Sequence, residues 1–127
     1  MIRNVVSTPD APAAIGPYSQ AIHAQGSFLF ISGQIPLRAD GTIVEGGVAE
    51  QAEQSCRNLI AILAAAGLTA ANVVKTTILL RDMADFATVN EVYGRFFGES
   101  LPARATYAVA GLPKDVRIEI EAIAVAD

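Results

Sequence analysis

Val116-Arg117-Ile118-Glu119-Ile120-Glu121-Ala122-Ile123-Ala124-Val125, close to the end of the chain, is the stretch that decides the fold. Side chains alternate across a strand, so Val116, Ile118, Ile120 and Ala122 point one way while Arg117, Glu119 and Glu121 point the other. One side is core and the other is not. A strand of this kind belongs to a sheet covered on a single face. Its predicted neighbour is Ala105–Ala110, reached through Gly111-Leu112-Pro113. Arg104 and Thr106 alternate there against Ala105, Tyr107 and Val109. Val73–Leu80 is β-branched and apolar on both sides, the pattern of a central strand.

Between these strands the period changes. Val48, Ala52, Cys56, Leu59, Leu63 and Ala66 recur every three to four residues, one face of a helix, and Gly67 stands where a C-terminal cap belongs. A second helix is predicted from about Met83, with Phe86, Val89, Tyr93, Phe96 and Phe97 as its apolar stripe and Asn90 off that stripe. Gly94 inside it costs up to about 1 kcal/mol, which predicts close packing at that point. Toward the N-terminus, Ile2–Val6 reads as a strand and the proline-rich run Thr8–Pro17 as an irregular loop. Ser19–Gln25 and Phe28–Ser32 read as a hairpin turning at Gly26-Ser27.

The order β-β-β-α-β-α-β-β predicts an α+β fold over residues 1–127 as a single domain: a six-stranded mixed sheet with two helices packed on one face. On the helix-free face this reading gathers Arg104, Thr106, Glu119 and Glu121 on adjacent strands. Such a face meets water or is covered by another subunit. In so apolar a chain the covered arrangement is expected, and with it an oligomer.

Composition narrows the function. The apolar fraction of 52% in 127 residues builds a core without disulfides or metals. The longest apolar stretch, Leu59–Ala66, falls far short of the roughly 20 residues that span a bilayer, so no membrane partner is expected. The opening MIRNVVSTPD lacks the apolar segment of a secretory signal, and a cytoplasmic location is expected. Net charge is −4 with no basic stripe, which argues against nucleic acid as a partner. A lone Cys56 excludes an internal disulfide, and a lone His23 argues against a histidine metal site and two-histidine acid–base chemistry. Nucleotide-loop and CxxC motifs are missing. What remains is the chemistry of Arg, Glu, Thr, Tyr, backbone groups and water.

Five segments then occur together and in order: Gly16-Pro17-Tyr18-Ser19-Gln20-Ala21, Ser32-Gly33-Gln34-Ile35-Pro36, Phe86-Ala87-Thr88-Val89-Asn90, Pro102-Ala103-Arg104 and Ile118-Glu119-Ile120-Glu121-Ala122-Ile123-Ala124. With them the chain resembles the RidA/YjgF family over nearly its whole length. The resemblance implies a chorismate-mutase-like subunit in a homotrimer with three clefts between subunits. It implies hydrolysis of reactive 2-imino acids and their enamine tautomers to 2-keto acids and ammonia, with no cofactor and no metal. Carried over position by position, it implies a site of Tyr18, Ser32, Gly33, Asn90, Arg104, Thr106 and Glu119.

Each residue type suits a part of that reaction. The planar Arg104 guanidinium offers paired donors to a carboxylate; a surface ion pair is its plainer use. Glu119 is the expected water handler, since attack at an imine carbon needs an oriented water and a proton acceptor; Glu121 shares its face, and a solvated carboxylate is the plainer reading of both. Thr106 stands where many relatives carry cysteine, so a thiol nucleophile is not required, and the hydroxyl is expected to help orient water. Tyr18 follows Gly-Pro in a loop and suits a cleft edge. Ser32 and Gly33 end a strand where backbone groups approach a ligand closely. Asn90 serves the site or ties its helix to a loop. His23, Tyr107 and Cys56 read as packing residues. The loop Phe97–Leu101 is shorter than in some relatives, which leaves pocket width open. Two rival functions remain: an endoribonuclease or translation inhibitor, and a non-enzymatic module that binds small metabolites or acts as a chaperone.

Overall fold

The computed structural model describes residues 1–127. It contains β1 (Ile2–Val6), β2 (Ala21–Gln25), β3 (Ser27–Gln34), α1 (Val48–Ala65), β4 (Val73–Leu80), α2 (Phe86–Phe97), β5 (Ala103–Ala108) and β6 (Ile118–Ala126). Single turns of tighter helix at Ala70–Asn72, Met83–Asp85 and Pro113–Asp115 join them. No helix is long and apolar enough to cross a membrane.

Six strands and two helices are present, but the strands form two sheets. Four make a mixed sheet in the order β3-β6-β4-β5, antiparallel except for the parallel β4–β5 pair. β1 and β2 pair antiparallel by themselves, and one bridge, Ser19 to Ala103, links this hairpin to the β5 edge. The predicted hairpin of Ser19–Gln25 with Phe28–Ser32 does not form. β2 turns to β1 and β3 to β6, and the chain changes sheet at Gly26, whose φ of +148° suits glycine. A Cβ there would clash with the Ala126 carbonyl.

The core follows the periodicity. Ala52, Cys56, Leu59 and Leu63 of α1 are fully buried, as are Val89, Tyr93 and Phe97 of α2 and Ile78, Leu80, Ile118 and Ile120 of the sheet. α1 ends in a Schellman motif: Leu68 N–H reaches the Leu63 carbonyl, Gly67 N–H reaches that of Ala64, and Gly67 has φ +75°. Pro17 lies 3.9 Å from where a Gly94 side chain would begin, so the helix glycine seats the N-terminal loop. Burial pushes the Cys56 thiol up to about 12, which leaves it a packing group. Ile120, at the centre of β6 with no exposure, is a direct test of the core. Ile120→Ala should lower the unfolding free energy by about 2–5 kcal/mol in urea denaturation, whereas a loss under about 1 kcal/mol would place the core elsewhere.

Candidate active site

In β5, Arg104 is the register partner of Thr76 and Thr106 of Ile78. Register partners share a face, and Thr76 and Ile78 are fully buried beneath the helices. Arg104 and Thr106 therefore lie on the helix-covered side of the sheet, not on the bare side. In β6, Glu119 is opposite Leu79 and Glu121 opposite Thr77, so these two do lie on the bare side. The expected gathering of all four on one face is wrong.

The cause lies in α2. Residues 86, 90 and 93 fall at i, i+4 and i+7 on one helical stripe, and Phe86, Asn90 and Tyr93 all face Arg104. Asn90 sits within the sheet-facing stripe and not off it. Its Oδ1 accepts from Arg104 Nη1 at 2.8 Å. The guanidinium carbon lies 5.1, 5.7 and 5.2 Å from the ring centres of Tyr18, Phe86 and Tyr93, all within cation–π range. The Arg104 guanidinium forms no salt bridge and no further hydrogen bond. Burial lowers its pKa from the usual arginine value, against the opposing pull of Tyr93 and Tyr18. A half-buried cation with most of its donors free is built to receive an anion. Two residues on, the buried Thr106 hydroxyl also has no partner.

The loop that brings Tyr18 over Arg104 is held by its neighbours. Tyr18 Oη accepts from the Ile15 N–H at 3.2 Å. Ser19, buried, donates its hydroxyl to the Leu101 carbonyl at 2.6 Å, and its N–H goes to Pro102. Leu101 holds a φ of +47° just before Pro102-Ala103-Arg104, a conformation costly for leucine. Gln20 accepts from Thr8 N–H at 2.6 Å and reaches the carbonyls of Thr8, Ala11 and Pro12. Gln20 thus gathers the loop, and Ser19 ties it to the segment leading into the arginine strand.

A second cluster occupies the other end of the sheet. Between Ile31 and Gln34, β3 carries one residue more than the facing stretch of β6, a bulge that takes in Ser32 and Gly33. The Glu119 side chain lies across Gly33: a Cβ on Gly33 would fall 2.6 Å from its carboxyl carbon. Ser32 is exposed and Glu119 half-buried.

These clusters do not meet within one chain. β4 separates β6 from β5, so Glu119 and Arg104 stand roughly 10 Å apart across the strands, at about 4.8 Å per strand spacing. Their β4 partners, Leu79 and Thr76, add roughly 10 Å along the strand at about 3.3 Å per residue. They also face opposite ways.

The sequence model of the family described as endoribonuclease L-PSP matches residues 8–126. The chain belongs to this family, the RidA/YjgF proteins. Within it, the 2-iminobutanoate/2-iminopropanoate deaminase of Mus musculus is 58% identical over 126 residues, covering 98% of this chain and 93% of the relative. The Homo sapiens protein of the same name is 55% identical, at 98% and 91% coverage. Among solved structures, E. coli TdcF with bound serine is 47% identical with a TM-score of 0.75, over 98% of this chain and 99% of that one. The E. coli YjgF gene product is 49% identical, again with a TM-score of 0.75 and the same coverage.

For a RidA/YjgF chain, the seven candidate residues divide cleanly. Tyr18, Asn90, Arg104 and Thr106 lie in the arginine cluster, and Ser32, Gly33 and Glu119 in the glutamate cluster. Glu121 points from the bare face into solvent, and Tyr107 shares that face. Phe86, Tyr93 and Ser19 join the arginine cluster without having been singled out. The first two look like ordinary stripe residues, and only Ser19's place beside Tyr18 marks it. No group of three or more His, Cys, Asp or Glu side chains is gathered to hold a metal.

Proposed function

We propose that this chain is a 2-imino acid deaminase whose site is completed between copies, the arginine half of one subunit facing the glutamate half of the next. The Arg104 guanidinium, which has no ion-pair partner, carries this reading, because a cation caged by three rings and left without a carboxylate calls for an anionic ligand. The names of the relatives support an imine substrate, and the serine held by TdcF is itself a small acid with a carboxylate.

The substrate carboxylate takes the free edge of Arg104 through charge-assisted hydrogen bonds. Thr106 supplies a hydroxyl to the carboxylate or to the attacking water. Glu119 of the neighbour accepts a proton from that water as it adds to C2. The adduct's nitrogen takes that proton back from Glu119, the C2–N bond breaks as the C2 hydroxyl gives up its own proton, and ammonia and the 2-keto acid leave. Imines hydrolyse unaided in water, so positioning and charge stabilisation suffice.

The two half-sites lie toward opposite ends of the four-stranded sheet, β5 at one edge and β3 with its bulge at the other. A head-to-tail contact between such edges is heterologous, and it closes into a ring when the rotation between successive subunits divides a full turn; we take that ring to be the family's homotrimer. Such a ring would cover Tyr107 on β5 and Phe28 and Phe30 on β3, which are 56%, 47% and 73% exposed in the single chain. A cytoplasmic location fits a substrate released by other enzymes.

Mixed subunits test the arrangement. Arg104→Ala and Glu119→Gln homo-oligomers should both be inactive. When they are unfolded together and refolded in equal amounts, each site has one chance in four of drawing both intact halves, so imine hydrolysis should return to about one quarter of wild type. Continued inactivity in demonstrably mixed oligomers would show that both residues must come from one chain.

A further inference from the structure

We propose that Thr76 and Tyr93 are positioning residues for Arg104: a buried hydroxyl pair that fixes the floor on which the guanidinium lies, so that its free N–H edge is aimed before a substrate carboxylate arrives. This rests on the deaminase reading of the Arg104 site. Neither residue is among the candidates drawn from the sequence.

The placement is specific. Thr76 is the residue directly beside Arg104 in the sheet, on the same face. Both Thr76 and Tyr93 are fully buried, and their hydroxyls meet at 2.7 Å. The Tyr93 ring stacks on Phe97 at 4.8 Å and 29°, and its other neighbour is the guanidinium, 5.2 Å from its centre. Packing, hydrogen bond and cation thus hold one ring from three sides.

Bulk alone does not account for two hydroxyls here. The surrounding core is aliphatic and aromatic, and valine with phenylalanine would fill nearly the same volume without removing two hydroxyls from water. A paired buried hydroxyl set contributes little net stability, but it selects a single geometry where packing alone tolerates several. A ring anchored at its para position cannot swing its far end, and stacking on Phe97 limits its rotation about the long axis. Besides the Tyr18 and Phe86 rings, the guanidinium above it is restrained by a single hydrogen bond, to Asn90. Bidentate capture of a carboxylate needs both donors aligned, so a tilt of the floor weakens substrate binding. The Glu119 half is held by β3 and β6 of another copy and does not feel the change. The effect therefore belongs in KM rather than kcat.

Three variants in the intact oligomer decide the matter, each measured for KM and kcat of imine hydrolysis, for 2-oxobutanoate affinity and for melting temperature. Thr76→Val should raise KM and the 2-oxobutanoate Kd together by roughly fivefold to tenfold, with kcat within about twofold of wild type. Thr76→Ser, which keeps the hydroxyl, should restore both constants. Thr76→Val with Tyr93→Phe removes both polar partners and should regain the melting temperature lost in Thr76→Val while KM stays high. Wild-type KM in Thr76→Val, or a KM that recovers with melting temperature in the double variant, overturns the positioning role alone. A wild-type oligomer that leaves imine lifetimes unchanged overturns the deaminase reading, and this inference with it.

Discussion

Arg104→Met should abolish most of the imine hydrolysis, lowering kcat/KM by roughly 100- to 1000-fold, and should leave the melting temperature unchanged or higher. The loss follows from what the guanidinium supplies. Two charge-assisted hydrogen bonds to a carboxylate, at about 1.5–3 kcal/mol each, amount to at least two decades of kcat/KM at about 1.4 kcal/mol per decade. Methionine keeps an unbranched stem over Tyr18, Phe86 and Tyr93, so ring contact largely survives. The stability expectation follows from the pKa direction. A base whose folded pKa lies below its unfolded value carries a penalty for being charged, and that penalty is fully present at neutral pH, well below both values. It would be relieved only as pH rises through the lowered pKa of Arg104, and Arg104→Met removes it at every pH. No ion pair is lost in exchange. Arginines that hold a fold together behave oppositely: Arg117, whose Nη2 donates to both carboxylate oxygens of Asp85 at 3.0 and 3.1 Å, should destabilise on replacement. Wild-type activity in Arg104→Met, or a melting temperature that falls as it does for an Arg117 variant, would make Arg104 a structural residue.

The sequence was legible wherever periodicity alone settles the answer. α1 runs from Val48 to Ala65 because its apolar stripe and Gly67 leave no alternative, and β4 is central because Val73, Val74, Ile78 and Leu80 are all buried. Alternation also gave the correct phase within each strand: Arg104 with Thr106, and Glu119 with Glu121. It could not give the phase between strands. That phase depends on the β4–β5 register, which pairs Thr76 with Arg104, and no pattern local to β5 reports it. The assumption that a charged residue takes the bare face failed because three rings and one amide make the helix side hospitable to a guanidinium. Partner choice was hidden in the same way. β2 alternates equally well against β1 or β3, and only the conformation at Gly26 and its tight approach to Ala126 separate the sheets. The site candidates themselves were drawn from the family resemblance, and their division into two halves emerges only from the sheet.

That division makes Gly33 as consequential as the glutamate it faces. Gly33→Ala should lower kcat by roughly 100-fold, the low end of what a positioned proton acceptor contributes, while changing stability by less than about 1 kcal/mol. An added Cβ would overlap Glu119 Oε2 and stand 2.6 Å from its carboxyl carbon and 3.0 Å from Cγ. All three atoms belong to one flexible side chain, so the clash is resolved by a new Glu119 rotamer rather than by moving backbone. Gly33 is absent from the positive-φ positions, so alanine suits the local backbone. The fold therefore tolerates the change, and the carboxylate leaves its place. Because the effect runs through Glu119, it should not add to removal of that carboxylate. Glu119→Gln alone and Gly33→Ala with Glu119→Gln should be equally impaired, a full non-additivity that contacting residues sharing one function display. Gly33→Ala with wild-type kcat would place the working carboxylate elsewhere. Losses that multiply in the double variant would mean that Gly33 serves the ligand through its own backbone and not through the glutamate lying over it.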